Sequence, residues 1–204
     1  IIDGGPDMTI VETMVREDPL IKGIWSVPKY SNPTGHTYSD ITVDRMAKLP
    51  TIAGKGFRII WDNAYVVHHL AAPVQLANLM LRARATGTEA NVLMVASTSK
   101  ITFAGAGVAF LGASKDNLAR FEKYLSASMI GYDKVNQLRH VRFLRDNAGI
   151  AAHMEKHTAL IKPKFDLVQE VLEANLGGKN VARWTRPLGG YFVSLDTLPG
   201  LASQ

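Results

Sequence analysis

The chain has 204 residues, of which 47% are hydrophobic and 20% charged, a balance typical of globular folds, with no apolar run long enough to span a bilayer. It contains no cysteine, which excludes disulfides, thiolate metal sites and cysteine nucleophiles. The formal charge of +5 comes from Lys and Arg interleaved with 18 acidic residues, so it forms no basic block of the kind that binds nucleic acid. The expectation is a cytoplasmic protein with neither a membrane nor a nucleic-acid partner.

In chain order, Ile1-Ile2-Asp3-Gly4-Gly5-Pro6 reads as a strand end running into a turn. Residues 23–27 are a short apolar run, and 41–52 carry a helical pattern opened by Ser39 or Asp40 as N-cap. Residues 57–61 predict a buried strand, 74–85 a second helix with Leu76, Leu79 and Met80 on one face, and 91–96 a third strand. Trp25 and Trp61 fall within these strand patterns and are expected in the core. Alternation of strands and helices predicts an α/β fold with a mostly parallel sheet. Residues 108–112 form a further short strand, and 117–129 set Leu118, Phe121, Leu125 and Met129 at helical spacing behind Ser114 and Asp116. The series Ile150, Met154, Ile161, Phe165, Val168 and Leu172 predicts a long helix over 150–176, bent at Pro163, closed by Gly177-Gly178 and bridging two domains. The boundary falls near Asn147-Ala148-Gly149, giving one domain over 1–147 and, over 148–204, the bridging helix and the beginning of a second.

In an open parallel sheet, ligands sit beyond the carboxyl ends of the strands. Here those ends lead into Pro28-Lys29-Tyr30-Ser31-Asn32-Pro33-Thr34-Gly35, Asp62-Asn63-Ala64-Tyr65 and Ser97-Thr98-Ser99-Lys100. Each alone has an ordinary structural reading: a turn, a helix cap, a solvated lysine. Together they offer an amide, a carboxylate, a phenol, hydroxyls and an amine on one rim, the set that a charged heterocycle with a phenolate oxygen and a phosphate requires. His68 and His69 are adjacent and point to different faces, and His153 and His157 lack a carboxylate pattern beyond Glu155, so no metal site is expected.

The motifs Ser31 to Gly35, Trp61 to Tyr65 and Ser97 to Lys100, in this order, resemble the fold-type-I, class I/II aminotransferases, which use pyridoxal 5'-phosphate (PLP). Residues 97–107 are most similar to the bacterial type Ic aspartate aminotransferase subgroup, and Gly189-Gly190-Tyr191-Phe192 resembles the first strand of that family's small domain. The resemblance implies part of a PLP-transferase large domain, then a long interdomain helix and the start of an α+β small domain. It implies that Lys100 holds the cofactor as a Schiff base and, once free, moves the proton between the substrate α-carbon and the cofactor. That task calls for burial that disfavours the ammonium form. Asp62 would pair with the pyridine nitrogen, Asn32 and Tyr65 would donate to the phenolate oxygen, and Ser97, aided by Ser99, would bind the phosphate. The family often holds the bond before the proline, here Asn32-Pro33, in the cis form.

The implied activity is transfer of an amino group between an amino acid, aspartate or glutamate among the candidates, and a 2-oxo acid, in a homodimer. A PLP-dependent lyase acting by β-elimination would use the same lysine, aspartate and ring, and a ligand-sensing aminotransferase-like domain of a transcription regulator is a third reading. Two departures stand out. The family's arginine two turns after the lysine is replaced by Gly105-Ala106-Gly107-Val108, and neither the upstream glycine-rich loop with its stacking aromatic nor the C-terminal substrate-carboxylate arginine has a counterpart. The chain therefore reads as a fragment, inactive alone and partnered by a second copy or its complement.

Overall fold

A computed structural model describes residues 4–199. The first helix, α1 (Met8–Glu17), begins at Asp7, whose carboxylate accepts the N–H groups of Thr9 and Ile10 at 3.0 and 3.3 Å. It buries Met8 and Val15, two turns apart on one face, and was not foreseen from the sequence. The expected alternation follows as β1 (Gly23–Ser26), α2 (Asp40–Lys48), β2 (Arg58–Asp62), α3 (Leu79–Thr86) and β3 (Val92–Ser97). Ser39 caps α2 by accepting from the Thr42 N–H at 3.2 Å, and a 3-10 turn over Leu49–Thr51 extends it.

The second predicted helix is shorter than the 74–85 expected. Helix α3 starts at Leu79, where the side chain of Asn78 caps the Leu81 N–H at 3.2 Å. Leu76 and Ala77 do pack on the core, but from a non-helical approach, so their apolar spacing served burial without helix.

The strands form one sheet in the order β1-β2-β3-β4, where β1, β2 and β3 run parallel and β4 (Ala109–Ala113) is antiparallel to β3. Register sets Ile24 beside Ile59, Trp61 beside Met94 and Ile59 beside Val92, and these residues share the face that packs against Met8, Val43, Met46, Leu79 and Ala83. Alternation sends Trp25, Ile60 and Asp62 to the other face. Trp61 is 1% exposed as expected, whereas Trp25 is 65% exposed, contrary to its assignment to the core. The described residues cover this part of the sheet on one side only.

Beyond the sheet, α4 (Lys115–Ser128) opens at Ser114 and buries no residue, α5 (Lys134–Leu144), also unforeseen, buries His140 and Leu144, and α6 (Asn147–Leu176) is a 30-residue helix containing Pro163 and burying Met154. Strands β5 (Ala182–Trp184) and β6 (Leu195–Thr197) form an antiparallel pair. Gly189 to Phe192, read from the sequence as a strand, is instead part of the connection between these two. This stretch bonds to the loop after β2 instead: the Gly190 N–H donates to the His68 carbonyl at 2.8 Å, and the Leu188 carbonyl just before it accepts the Leu70 N–H at 2.9 Å. Among the described residues no helix is long and apolar enough to cross a membrane.

Candidate active site

The carboxyl ends of β1, β2 and β3 face the same way, and each leads into one of the polar loops singled out above. After β1, the turn at residues 31–36 closes through the Gly35 N–H to the Ser31 carbonyl at 2.6 Å, with Gly35 at φ 74° and the Asn32-Pro33 peptide cis. Asn32 is exposed, and among the described residues no hydrogen bond ties its side chain to Asp62, Tyr65 or Lys100. Asp62 ends β2 beside Val95 of β3, and the indole N–H of Trp25 donates to its Oδ2 at 3.3 Å.

Tyr65 is 3% exposed, packed edge-on against His68, Tyr191 and Phe192 with ring centroids 5.8, 6.0 and 5.9 Å away. The Lys100 ammonium stands 5.1 Å from the Tyr65 ring centroid, so the structure brings these two expected residues together. Lys100 is nevertheless exposed, and the burial anticipated for it is not supplied by the described residues. Ser97 Oγ accepts the Ser99 N–H at 3.4 Å, and a Cβ at Gly107 would come within 2.7 Å of Ser99 Oγ and 2.9 Å of its nitrogen. Only glycine fits there, which brings the backbone of the 105–107 loop onto the serine turn. The buried Thr98 fastens the two, its hydroxyl accepting the Val108 N–H at 2.8 Å.

Several residues that support this rim were not identified from the sequence. Tyr30 is fully buried at φ 54°, and its hydroxyl bonds His69 Nδ1 at 2.7 Å, tying the loop after β1 to the loop after β2. Gly189 and Gly190 lie directly on Tyr30 and the backbone of His68: a Cβ at Gly189 would collide with the Tyr30 ring and the His68 carbonyl. The Gly-Gly-Tyr-Phe string was visible in the sequence, but nothing in it announced a crossing over residues as distant in the chain as Tyr30 and His68. Burial lowers the pKa of His68 and of His69, and Lys29, itself nearly buried and 5.3 Å from the Tyr30 ring centroid, lowers that of His69 further. Burial also raises the phenol pKa of Tyr30 and Tyr191.

His153 and His157 pack edge-on at 4.7 Å, and His153 Nε2 donates to the Ile101 carbonyl at 2.8 Å. Two cavities, of about 530 Å³ between residues 34–37 and Trp184 to Leu188 and about 650 Å³ between Val67 to Pro73 and the first turns of α6, lie beside the Lys100 rim and not on it. The rim itself is open.

A parallel sheet with lysine, aspartate and tyrosine at adjacent strand ends defines a site class, and comparison with known proteins gives it a family. The profile described as aspartate amino-transferase matches residues 1–204, so the chain belongs to the aspartate aminotransferase family. It is 53% identical to a Mycolicibacterium smegmatis protein provisionally named an aminotransferase, an alignment covering 100% of this chain and 48% of that protein. It superposes on the crystal structure of an aspartate transaminase from Corynebacterium glutamicum with a TM-score of 0.94 at 42% identity, over 99% of this chain and 47% of that one. The fold is shared with an alpha-aminoadipate aminotransferase of Thermus thermophilus complexed with N-(5'-phosphopyridoxyl)-L-leucine, at a TM-score of 0.79, 24% identity, and coverage of 98% and 49%. The chain spans about half the length of the curated relatives it matches.

Proposed function

We propose that this chain is part of a PLP-dependent transaminase that moves an amino group between an amino acid, aspartate or glutamate foremost, and a 2-oxo acid, in a cytoplasmic homodimer. The observation that carries the reading is the convergence of Asp62, Tyr65 and Lys100 at neighbouring strand ends, with Lys100 Nζ 5.1 Å from the Tyr65 ring centroid. In this reading residues 1–147 belong to the large, cofactor-binding domain, and 148–204 supply the interdomain helix and the start of the small domain.

The donor set fits the cofactor. Trp25 occupies one oxygen of Asp62, and among the described residues nothing bonds the other, leaving it free for a ring N–H. The Ser97 and Ser99 hydroxyls would take the phosphate, beside the backbone that Gly107 brings onto Ser99, where the sequence has no counterpart of the family's arginine. Bound PLP supplies an electron sink for the charge left when an amino acid loses its α-proton. With PLP bound, Asp62 would pair with the ring nitrogen and keep it protonated, Asn32 and Tyr65 would donate to the phenolate oxygen, and Lys100 would hold the cofactor and, as a free amine, accept the α-proton at Nζ.

The test uses the full-length protein with added PLP and borohydride. Mass analysis should find the cofactor fixed on Lys100, and Lys100→Ala should abolish both the adduct and its absorbance, with turnover falling roughly 10²–10⁴-fold as expected for loss of a proton-transfer group. With aspartate and a 2-oxo acid the products should be the swapped pair; release of ammonia and pyruvate would replace the transaminase with the lyase. Identical spectra for wild type and Lys100→Ala would defeat the reading.

A further inference from the structure

The turn that carries Lys100 ends where a helix would continue. The Thr98 carbonyl accepts the N–H groups of Ile101 and Thr102 at 2.9 and 2.8 Å, as in a first helical turn. The chain then departs through Gly105 at φ 77°, and residues 104 and 105 do not supply the donors that the Lys100 and Ile101 carbonyls would receive in a helix. Such carbonyls need other partners once they leave water.

Histidines from three separate elements hold this turn. His68, from the loop after β2, donates Nε2–H to the Lys100 carbonyl at 2.9 Å; His153, on α6, donates Nε2–H to the Ile101 carbonyl at 2.8 Å. His140, on α5, bonds the Thr102 hydroxyl through Nε2 at 2.8 Å while its Nδ1 donates to the Asn136 carbonyl at 2.9 Å. A carbonyl only accepts, so His68 and His153 carry their proton on Nε2. In His68 this agrees with Nδ1, which is buried without a hydrogen-bond partner and is the bare nitrogen of a neutral ring. Tyr191 adds a second donor to the Lys100 carbonyl at 3.3 Å.

We propose that His68, His153 and His140 form a cradle that replaces the missing helical turn and fixes the direction in which Lys100 presents its amine, with His68 the principal positioning residue. The proposal rests on the assignment of Lys100 as the cofactor lysine. None of the three histidines touches substrate or cofactor in this scheme; they act through the backbone of residues 100–102. A loosened turn would leave the lysine present but misdirected, which costs the proton transfer more than it costs binding.

The experiment compares wild type, His68→Gln and His68→Leu in the full-length PLP-loaded protein, together with a ¹⁵N imidazole spectrum of the wild type free of cofactor. Glutamine places an N–H near the position of Nε2, and leucine places none. Expected are wild-type kcat within about twofold in His68→Gln, and in His68→Leu a kcat at least about tenfold lower with KM nearly unchanged. The pH midpoint of the lysine-bound cofactor band should move in His68→Leu and stay put in His68→Gln. His153→Leu should show the same signature at a few-fold. The imidazole spectrum should show His68 protonated at Nε2 and bare at Nδ1 near neutral pH, whether or not the leucine variant folds. A proton on His68 Nδ1, or a His68→Leu enzyme with wild-type kcat and midpoint, overturns the cradle. Failure of the wild type to trap PLP on Lys100 is a different result and removes the cofactor assignment itself.

Discussion

The two halves of this chain are built on different terms. Residues 8–94 supply the whole described core cluster, with Val43, Met46, Leu49, Ile59, Leu79 and Val92 fully buried. The helices after the sheet have comparable apolar spacing, yet α4 buries nothing and the 30 residues of α6 bury Met154 alone. Amphipathic patterning thus forecasts a helix without saying what its apolar face meets. The first half holds itself together; the second reaches the rim through a few hydrogen bonds and one pair of glycines.

The largest break in that contrast should come from Trp61→Ala, which empties a fully packed site. It is expected to cost about 3–5 kcal/mol, whereas Tyr124→Ala, at a 77% exposed position of α4, should cost no more than about 0.5 kcal/mol. Urea unfolding of the 204-residue chain would measure both, and equal losses would show that the halves do not differ in this way.

Gly189→Ala addresses the join between the halves. The added methyl meets Tyr30 and the His68 carbonyl, so overpacking should cost about 1–3 kcal/mol and loosen the contact of Tyr191 with Tyr65. An unchanged melting temperature would mean that the segment gives way at no cost.

The smallest effect is a pH dependence of stability. Burial lowers the pKa of His68, His69 and His157 below their ordinary value of 6.5. The unfolded chain then binds more protons than the folded one just below that value, so stability holds above about pH 6.5 and declines as pH falls through the folded pKa values. The groups facing them act in the same direction: His157 and Lys100 lower His68, Lys29 and His68 lower His69, and His153 lowers His157, while the ring's hydrogen bond to the Lys100 carbonyl opposes the shift of His68. Arg45, which donates to Glu12 at 2.7 Å and lowers its pKa, adds a separate loss only below about pH 4.5. Melting temperatures between pH 8 and pH 5 should fall, and less so in His68→Gln; a flat profile would refute the assignment.

Much of this architecture was legible because local and global signals agreed. The apolar runs at β2 and β3, the serine caps of α2 and α4, and the polar loops after each strand all stood where composition and spacing put them. The misreadings have particular causes. Leu76 and Ala77 obeyed a helical spacing while packing from an irregular segment, and the alternation of β1 sent Trp25 away from the face that the described residues cover. Helix α1 passed unnoticed although Asp7, Met8 and Val15 spell its cap and buried stripe. The rim residues Asp62, Tyr65 and Lys100 were readable from motifs; Tyr30, His68 and Gly189 were not, because their roles arise from contacts between segments far apart in sequence.

The hydrogen bond from Trp25 to Asp62 also gives the protein an optical probe. Of the three tryptophans in these 204 residues, Trp61 is sealed in the core and Trp184 donates to Gln169 at 3.0 Å, whereas Trp25 is 65% exposed with its indole N–H on a rim carboxylate. Any molecule that competes for Asp62 alters the surroundings of one emitter and leaves the other two as internal references, so occupancy of the rim can be followed by intrinsic fluorescence without a label.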